Sequence, residues 1–193
     1  MIKISKDISN ISFYSCQPKD KKELEDIIKK RIKQEGPNCD LNDIDVSKIT
    51  DMSHLFHKSD FNGDISEWNV SNVKNMYAMF AFSEFNGDIS RWNVLNVNNM
   101  NNMFFGSRFN KDISNWDVSK VNNMSGMFYE SKFNVDISKW NVSKVRDMQW
   151  MFACSEFNSD ISKWKINKDC YTMNMFNDCP IKKEYKPKTL QKK

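Results

Sequence analysis

Side chains able to carry acid–base, nucleophilic or metal chemistry are sparse in this 193-residue sequence. His54 and His57 are the only 2 histidines. They lie in a stretch of helical apolar spacing, and no Ser/His/Asp, Cys/His or phosphate-loop arrangement accompanies them. They read as surface residues. The 5 cysteines, Cys16, Cys39, Cys154, Cys170 and Cys179, form no Cys-x-x-Cys pair and no metal-ligand spacing. An odd count without a framework argues against a disulfide-stapled secreted scaffold. Cys154 and Cys179 are 25 residues apart; a bridge between them is conceivable, and reduced thiols are the expectation. A column of carboxylates, Asp64, Asp88, Asp112, Asp136 and Asp160, runs beside a column of amides, Asn62, Asn86, Asn110, Asn134 and Asn158. Stacked Asp can bind calcium in nonapeptide β-rolls, but that motif is Gly-rich with a shorter period. The expected role of both columns is to satisfy backbone groups at tight turns. No catalytic residue, metal site or cofactor is expected, and the chain reads as a non-enzyme.

These columns exist because the chain repeats itself. Residues 61–84 read Phe-Asn-Gly-Asp-Ile-Ser-Glu-Trp-Asn-Val-Ser-Asn-Val-Lys-Asn-Met-Tyr-Ala-Met-Phe-Ala-Phe-Ser-Glu, and the sentence returns at Phe85, Phe109, Phe133 and, degraded, at Phe157, always after 24 residues. A fixed step of that size marks a repeat array in which each copy stacks on the last. Six copies fall in register: 37–60, 61–84, 85–108, 109–132, 133–156 and 157–180. Within one copy Phe61, Ile65, Trp68, Val70, Val73, Met76, Met79 and Phe80 are apolar. The spacing Ile65-x-x-Trp68-x-Val70 has the rhythm of leucine-rich repeats and predicts a short strand over 67–71, with 64–66 as the alternative. Val73, Met76, Met79 and Phe80 predict a helix or helical turns, capped at Ser71. The Trp column (Trp68, Trp92, Trp116, Trp140, Trp164) is expected in the core. The predicted fold class is α/β: a right-handed leucine-rich-repeat-like solenoid with short parallel strands on one face and helices or helical turns on the other.

Residues 1–36 form the lead-in. Asp20 is a plausible N-cap for a helix over 21–34, in which Leu24, Ile27, Ile28 and Ile32 recur at helical spacing before the stop at Gly36-Pro37. Such a helix is expected to cap the open end of the array. Residues 37–180 are the array itself, and 181–193 a basic tail expected to be disordered. That tail holds 6 Lys against Glu184, leaving 23 basic and 24 acidic side chains in the rest of the chain. The body therefore lacks the broad basic footprint of a nucleic-acid binder. No apolar run reaches the ~20 residues a membrane span needs. Cys16 follows Phe-Tyr-Ser in the outline of a lipoprotein box, but the apolar core of an export leader is missing. Cytoplasmic location is the default expectation.

The pattern F-N-x-D-I-S-x-W-N-V-S-x-V-x-x-M-x-x-M-F closely resembles the BspA-like leucine-rich repeat family of bacterial surface proteins. Residues 43–56 look like that family's usual opening copy, and the Lys-Glu-Leu helix before them like its lead-in; the likeness covers roughly residues 18–180. It implies a leucine-rich-repeat-like solenoid, a binding role often described as surface adhesion, and a cell-surface or secreted location. It implies no catalytic residues.

Function is then sought where the copies differ. The residue before each Trp runs Glu67, Arg91, Asn115, Lys139, Lys163. On an exposed sheet face this column would grade from acidic to basic and could orient a charged partner. A second variable set, Tyr77, Phe82, Phe105, Tyr129 and Trp150, supplies large aromatics of the kind enriched in interfaces. The expected function is a non-catalytic protein-binding repeat scaffold, of adhesin or host-interaction type, whose partner is another protein rather than a small-molecule substrate. The alternative is binding of nucleic acid or an acidic partner through the Lys-rich tail, with nucleic acid disfavoured by the neutral body.

Overall fold

The structure, a computed structural model, describes residues 14–191. Helix α1 (Lys21–Glu35) forms where the apolar spacing places it. The Asp20 carboxylate accepts the Glu23 amide at 2.9 Å, and Gly36, at φ 90°, ends the helix with its amide on the Ile32 carbonyl. Leu24 and Ile28 face the core. Lys21 Nζ donates to Ser53 Oγ at 2.7 Å, and Arg31 bonds the Asp43 carboxylate and the Asp40 carbonyl. These contacts hold α1 over the first copy. Of the lead-in before it, residues 1–13 lie outside the described residues, and Cys16 pairs with Ile44 in a parallel bridge.

The six copies stack in register, and the apolar columns fill the interior. Phe61, Phe85, Phe109, Phe133 and Phe157 are fully buried. Phe80, Phe104 and Phe128 stack nearly parallel at centroid distances of 5.6 and 5.7 Å. The Trp column is buried as well, and each indole N–H is satisfied: Trp92 donates to the Ile65 carbonyl and Trp116 to the Ile89 carbonyl, both at 3.1 Å.

Within each copy the path differs from the expected strand and helix. Among the described residues pairing is confined to isolated parallel bridges, such as Asp51↔Asn75, Asn75↔Asn99 and Asn99↔Asn123, and α1 is the one α-helix. There is no sheet. The leucine-rich-repeat-like α/β solenoid, with parallel strands on one face and helices on the other, is therefore not the fold. Two left-handed residues per copy explain why. The columns 54/78/102/126/150/174 and 58/82/106/130/154/178 all have φ between 50° and 61°, which interrupts any run of i→i−4 hydrogen bonds. Amides alternate instead. Met76, Ala78, Phe80 and Phe82 donate to Asn99, Asn101, Met103 and Phe105 of the next copy at 2.7–2.9 Å. Met79, Ala81 and Ser83 donate three residues back within their own copy, at 3.2 Å. Such tight turns return to one face every three or four residues, so their apolar spacing imitates a helix.

The strand expected over 67–71 is displaced by side-chain acceptors. Asn69 Oδ1 takes the Ser71 amide at 3.2 Å, and Val73 donates to the Val70 carbonyl, so this stretch turns rather than extends. The alternative at 64–66 contributes only the single bridge Asp40↔Asp64. The Asp column accepts amides in the same way: Ser66, Ser90, Ser114, Ser138 and Ser162 donate to the Asp two residues earlier at 2.8–2.9 Å. The Asn column bridges copies, each Oδ1 from Asn62 to Asn134 accepting the amide 24 residues on.

Of residues 181–193, read from composition as a disordered tail, 192 and 193 lie outside the described residues and 181–191 fold against the last copy. The Asn158 side chain accepts the Lys182 amide at 3.1 Å, Ile161 donates to the Tyr185 carbonyl at 3.0 Å, and Ile181 is buried beside a short 3-10 turn, Lys183–Tyr185. A composition-based expectation of disorder misses this because Ile181, Tyr185 and Leu190 supply the apolar contacts.

Candidate functional site

The paired left-handed turns lift certain columns out of the stack, and there the variable aromatics meet. Phe82 contacts Phe105 at 4.4 Å between centroids, Phe105 contacts Tyr129 at 4.9 Å, and Tyr129 meets Trp150 edge-on at 6.0 Å. Tyr77 joins indirectly: its ring lies 4.7 Å from His54, His54 lies 5.3 Å from His57, and His57 lies 6.1 Å from Phe82. Seven rings thus form one continuous row from the first copy to the fifth. Phe82 and Trp150 are exposed, whereas Tyr77, Phe105 and Tyr129 are half-buried.

Two glycines shape this face. Gly106 stands where neighbouring copies carry Phe82 and Glu130; a Cβ there would approach the Phe82 ring to 2.6 Å. A Cβ on Gly126 would meet Asn102 Oδ1 at 2.1 Å. The space at Gly126 is part of an open cleft of about 440 Å³, whose walls include Asn101, Asn102, Phe105, Tyr129, Asp147, Gln149 and Trp150. Asn101 Nδ2 donates to the Ser125 carbonyl at 2.8 Å, and the Asp147 carboxylate accepts the Gln149 amide at 3.0 Å. Burial, reinforced by Glu130, raises the Tyr129 phenol above its ordinary pKa, so it stays a neutral hydroxyl. The cleft offers aromatic surface, neutral amides and the single carboxylate of Asp147, without a nucleophile–base pair.

The charged column is exposed throughout, from Glu67 through Arg91, Asn115 and Lys139 to Lys163. Without a sheet it lies along turns, not on a sheet face. Its gradient is also compensated locally. Arg91 Nη1 lies 3.6 Å from Glu67 Oε1, both highly exposed at 80% and 64%, a pair of small energetic weight. Lys139 and Lys163 share a groove with Asp136 and Asp160. The amides of Ser138 and Ser162, with the lysines adding to them, hold those two carboxyls below the ordinary carboxylate range. None of this column lines the aromatic cleft.

Two functional candidates escape a surface reading of the sequence. His54 and His57 bridge Tyr77 to Phe82, and burial, then His54, lowers the His57 pKa. The signal was their register: His54 heads the left-handed column that later holds Asn102 and Trp150. Asn101, Asn102 and Gln149 were likewise missed; the signal was the variability of their columns, 53/77/101/125/149/173 and 54/78/102/126/150/174. Among the described residues no group of three His, Cys, Asp or Glu side chains could hold a metal ion. All five cysteines are free, including Cys154 and Cys179, and burial pushes the Cys170 thiol up to about 11. No helix among the described residues is long and apolar enough to cross a membrane.

A family model described as "Mycoplasma protein of unknown function, DUF285" matches residues 23–129 and again 105–187. No curated protein and no solved structure matches the chain.

Proposed function

The chain belongs to the family of Mycoplasma proteins of unknown function, DUF285, and within that family we propose that it is a non-catalytic scaffold that binds another protein through its aromatic face. The observation that carries this reading is the seven-ring row, with Phe105, Tyr129 and Trp150 around a cleft of polar groups, chiefly amides with the Asp147 carboxylate. Rigid aromatics flanked by adaptable polar groups are the usual composition of high-energy interface centres. Their positions are held by the stacked copies, so little ordering cost falls on binding. The resemblance of the repeat sentence to BspA-like surface proteins supports the same reading, with adhesion as the type of interaction.

The test is capture from source-cell and host-cell lysates on immobilised chain, quantified by mass spectrometry. A partner held by the unsubstituted chain should be retained by the Lys139→Glu/Lys163→Glu variant. It should fall by about tenfold or more with Phe105→Ser/Trp150→Ser, a loss expected when two interface centres are removed. Undiminished capture by the aromatic variant sinks this reading. Loss through Lys139 and Lys163 would move the site to the charged column. Salt-sensitive retention of nucleic acid, abolished by charge reversal at Lys183 and Lys188, would favour the Lys-rich segment instead.

A further inference from the structure

The two ends of the stack carry complementary hydrogen-bonding edges, and only one of them is free. At the last internal junction Met148, Trp150, Phe152 and Cys154 donate to the carbonyls of Tyr171, Met173, Met175 and Asn177 at 2.8–3.1 Å. The equivalent amides of the final copy, on Thr172, Asn174, Phe176 and Asp178, meet no acceptor among the described residues. No carbonyls are interspersed with them. Those of Thr172, Asn174 and Phe176 accept the Met175, Asn177 and Cys179 amides inside the turns, and the intervening ones serve the preceding copy. The left-handed Asn174 (φ 55°) and Asp178 (φ 50°) fix this alternation. The result is an edge made of donors alone.

An ordinary β-strand is a poor match for such an edge. It presents N–H and C=O together on the side it offers, so half of its groups would be left unpaired. A row of carbonyls at alternate residues fits, and the copies of this repeat supply that row at every internal junction, as with Asn75, Tyr77, Met79 and Ala81. Apolar surface lies ready beside the donors. Tyr171 and Met173 are 68% and 61% exposed, the most exposed large apolar residues among those described. With Phe176 they border an open groove of about 590 Å³ that Lys186 and Leu190 of the C-terminal segment also line.

The opposite end has the matching carbonyls, on Asp51, Ser53, Leu55 and His57, again without donors among the described residues. There α1 stands in the way. Lys21 bonds Ser53, while Glu25, Ile28, Lys29 and Ile32 flank the groove that residues 54–60 border. End-to-end stacking of two copies of this chain would require α1 to leave.

We propose that the edge formed by Thr172, Asn174, Phe176 and Asp178 is a docking site for the second half of one copy of this same repeat, the part equivalent to residues 74–84, carried by a separate polypeptide in which the carbonyl row is uncovered. Residues 181–185 already occupy the first half of the next layer, and docking completes that layer, pairs all four amides and covers Tyr171 and Met173. This site is distinct from the aromatic face and does not depend on it.

Amide hydrogen exchange by NMR on the full chain tests it, with a synthetic peptide of residues 74–84 as the probe. The peptide should slow exchange at Thr172, Asn174, Phe176 and Asp178 saturably, by at least about tenfold, and leave Met148, Trp150, Phe152 and Cys154 unchanged. Thr172→Pro deletes one donor without removing any hydrogen bond of the chain itself; it should keep the melting temperature and abolish protection at Asn174 and Phe176. Four results overturn the proposal: no slowing at saturating peptide, equal protection in Thr172→Pro, protection centred on Phe105 and Tyr129, or protection that rises with protein concentration without peptide. The last would mean that a second copy docks despite α1.

Discussion

Trp116 combines two tasks that a single substitution can separate. Its ring fills the core between copies, 6.5 Å from the Phe104 ring, and its Nε1 donates to the Ile89 carbonyl of the preceding copy at 3.1 Å. Trp116→Ala removes both and should cost ~3–5 kcal/mol. Trp116→Phe keeps most of the apolar volume and loses one of the two hydrogen bonds that the Ile89 carbonyl accepts, the other coming from the Trp92 amide at 3.2 Å, so about 0.5–1.5 kcal/mol should still be lost. Urea denaturation of both variants measures the split. A Phe variant as stable as the parent would show that the Trp92 amide alone satisfies the Ile89 carbonyl, and an Ala variant losing under about 1 kcal/mol would remove the column from the core. The same distinction between filling and bonding separates core Trp residues from Trp150, which is 39% exposed and belongs to the aromatic face.

At the scale of the element, the repeating unit is a set of tight turns held by side-chain acceptors, and its acid stability follows. Asp64, Asp88, Asp112, Asp136 and Asp160 each accept the amide of the Ser two residues on, and that bond is the leading cause holding each carboxyl below its ordinary value of 3.8. A carboxyl depressed by folding stabilises above its unfolded pKa, and the contribution is lost as pH falls through the folded value. The melting temperature should therefore be nearly level between about pH 7 and 5 and fall below about pH 4. Exchanging all five for Asn keeps the Oδ1 acceptor and removes the titration, so the fall should be shallower; parallel melting curves would refute the assignment. The chain makes this exchange itself, since Asn69 and Asn141 perform the task of Asp117. Helix α1 was legible in the sequence because regular apolar spacing, the Asp20 cap and Gly36 agree. The register of the copies was legible because the period never slips. The path inside a copy was not, because ten non-glycine residues adopt positive φ and only Gly106 and Gly126 advertise it. Phe105, Tyr129 and Trp150 were legible as interruptions of their columns, whereas His54 and His57 were absorbed into an expected helix.

Across the whole molecule, backbone hydrogen bonds along the stack stay within a copy or reach an adjoining one, so a copy is a removable layer. Deleting residues 85–108 joins Glu84 to Phe109, the same Glu-Phe junction that exists at 84–85. The donors Met76, Ala78, Phe80 and Phe82 then face Asn123, Ser125, Met127 and Tyr129, which already accept from an identical arrangement. The Phe and Trp columns close up in register. The shortened chain should fold cooperatively, with a melting temperature lowered by less than about 10 °C, since each kcal/mol lost is worth about 2–4 °C at this size. Deleting only 85–96 instead sets core columns against turn columns and should leave no cooperative transition. Calorimetry and circular dichroism distinguish the outcomes; equal effects of the two deletions would mean that stability does not depend on register. The whole-copy deletion also separates scaffold from site. It removes Phe105, Asn101 and Asn102 from the aromatic face, so partner capture through that face should fail in a chain that still folds, while the donor edge at Thr172–Asp178 should bind its peptide unchanged.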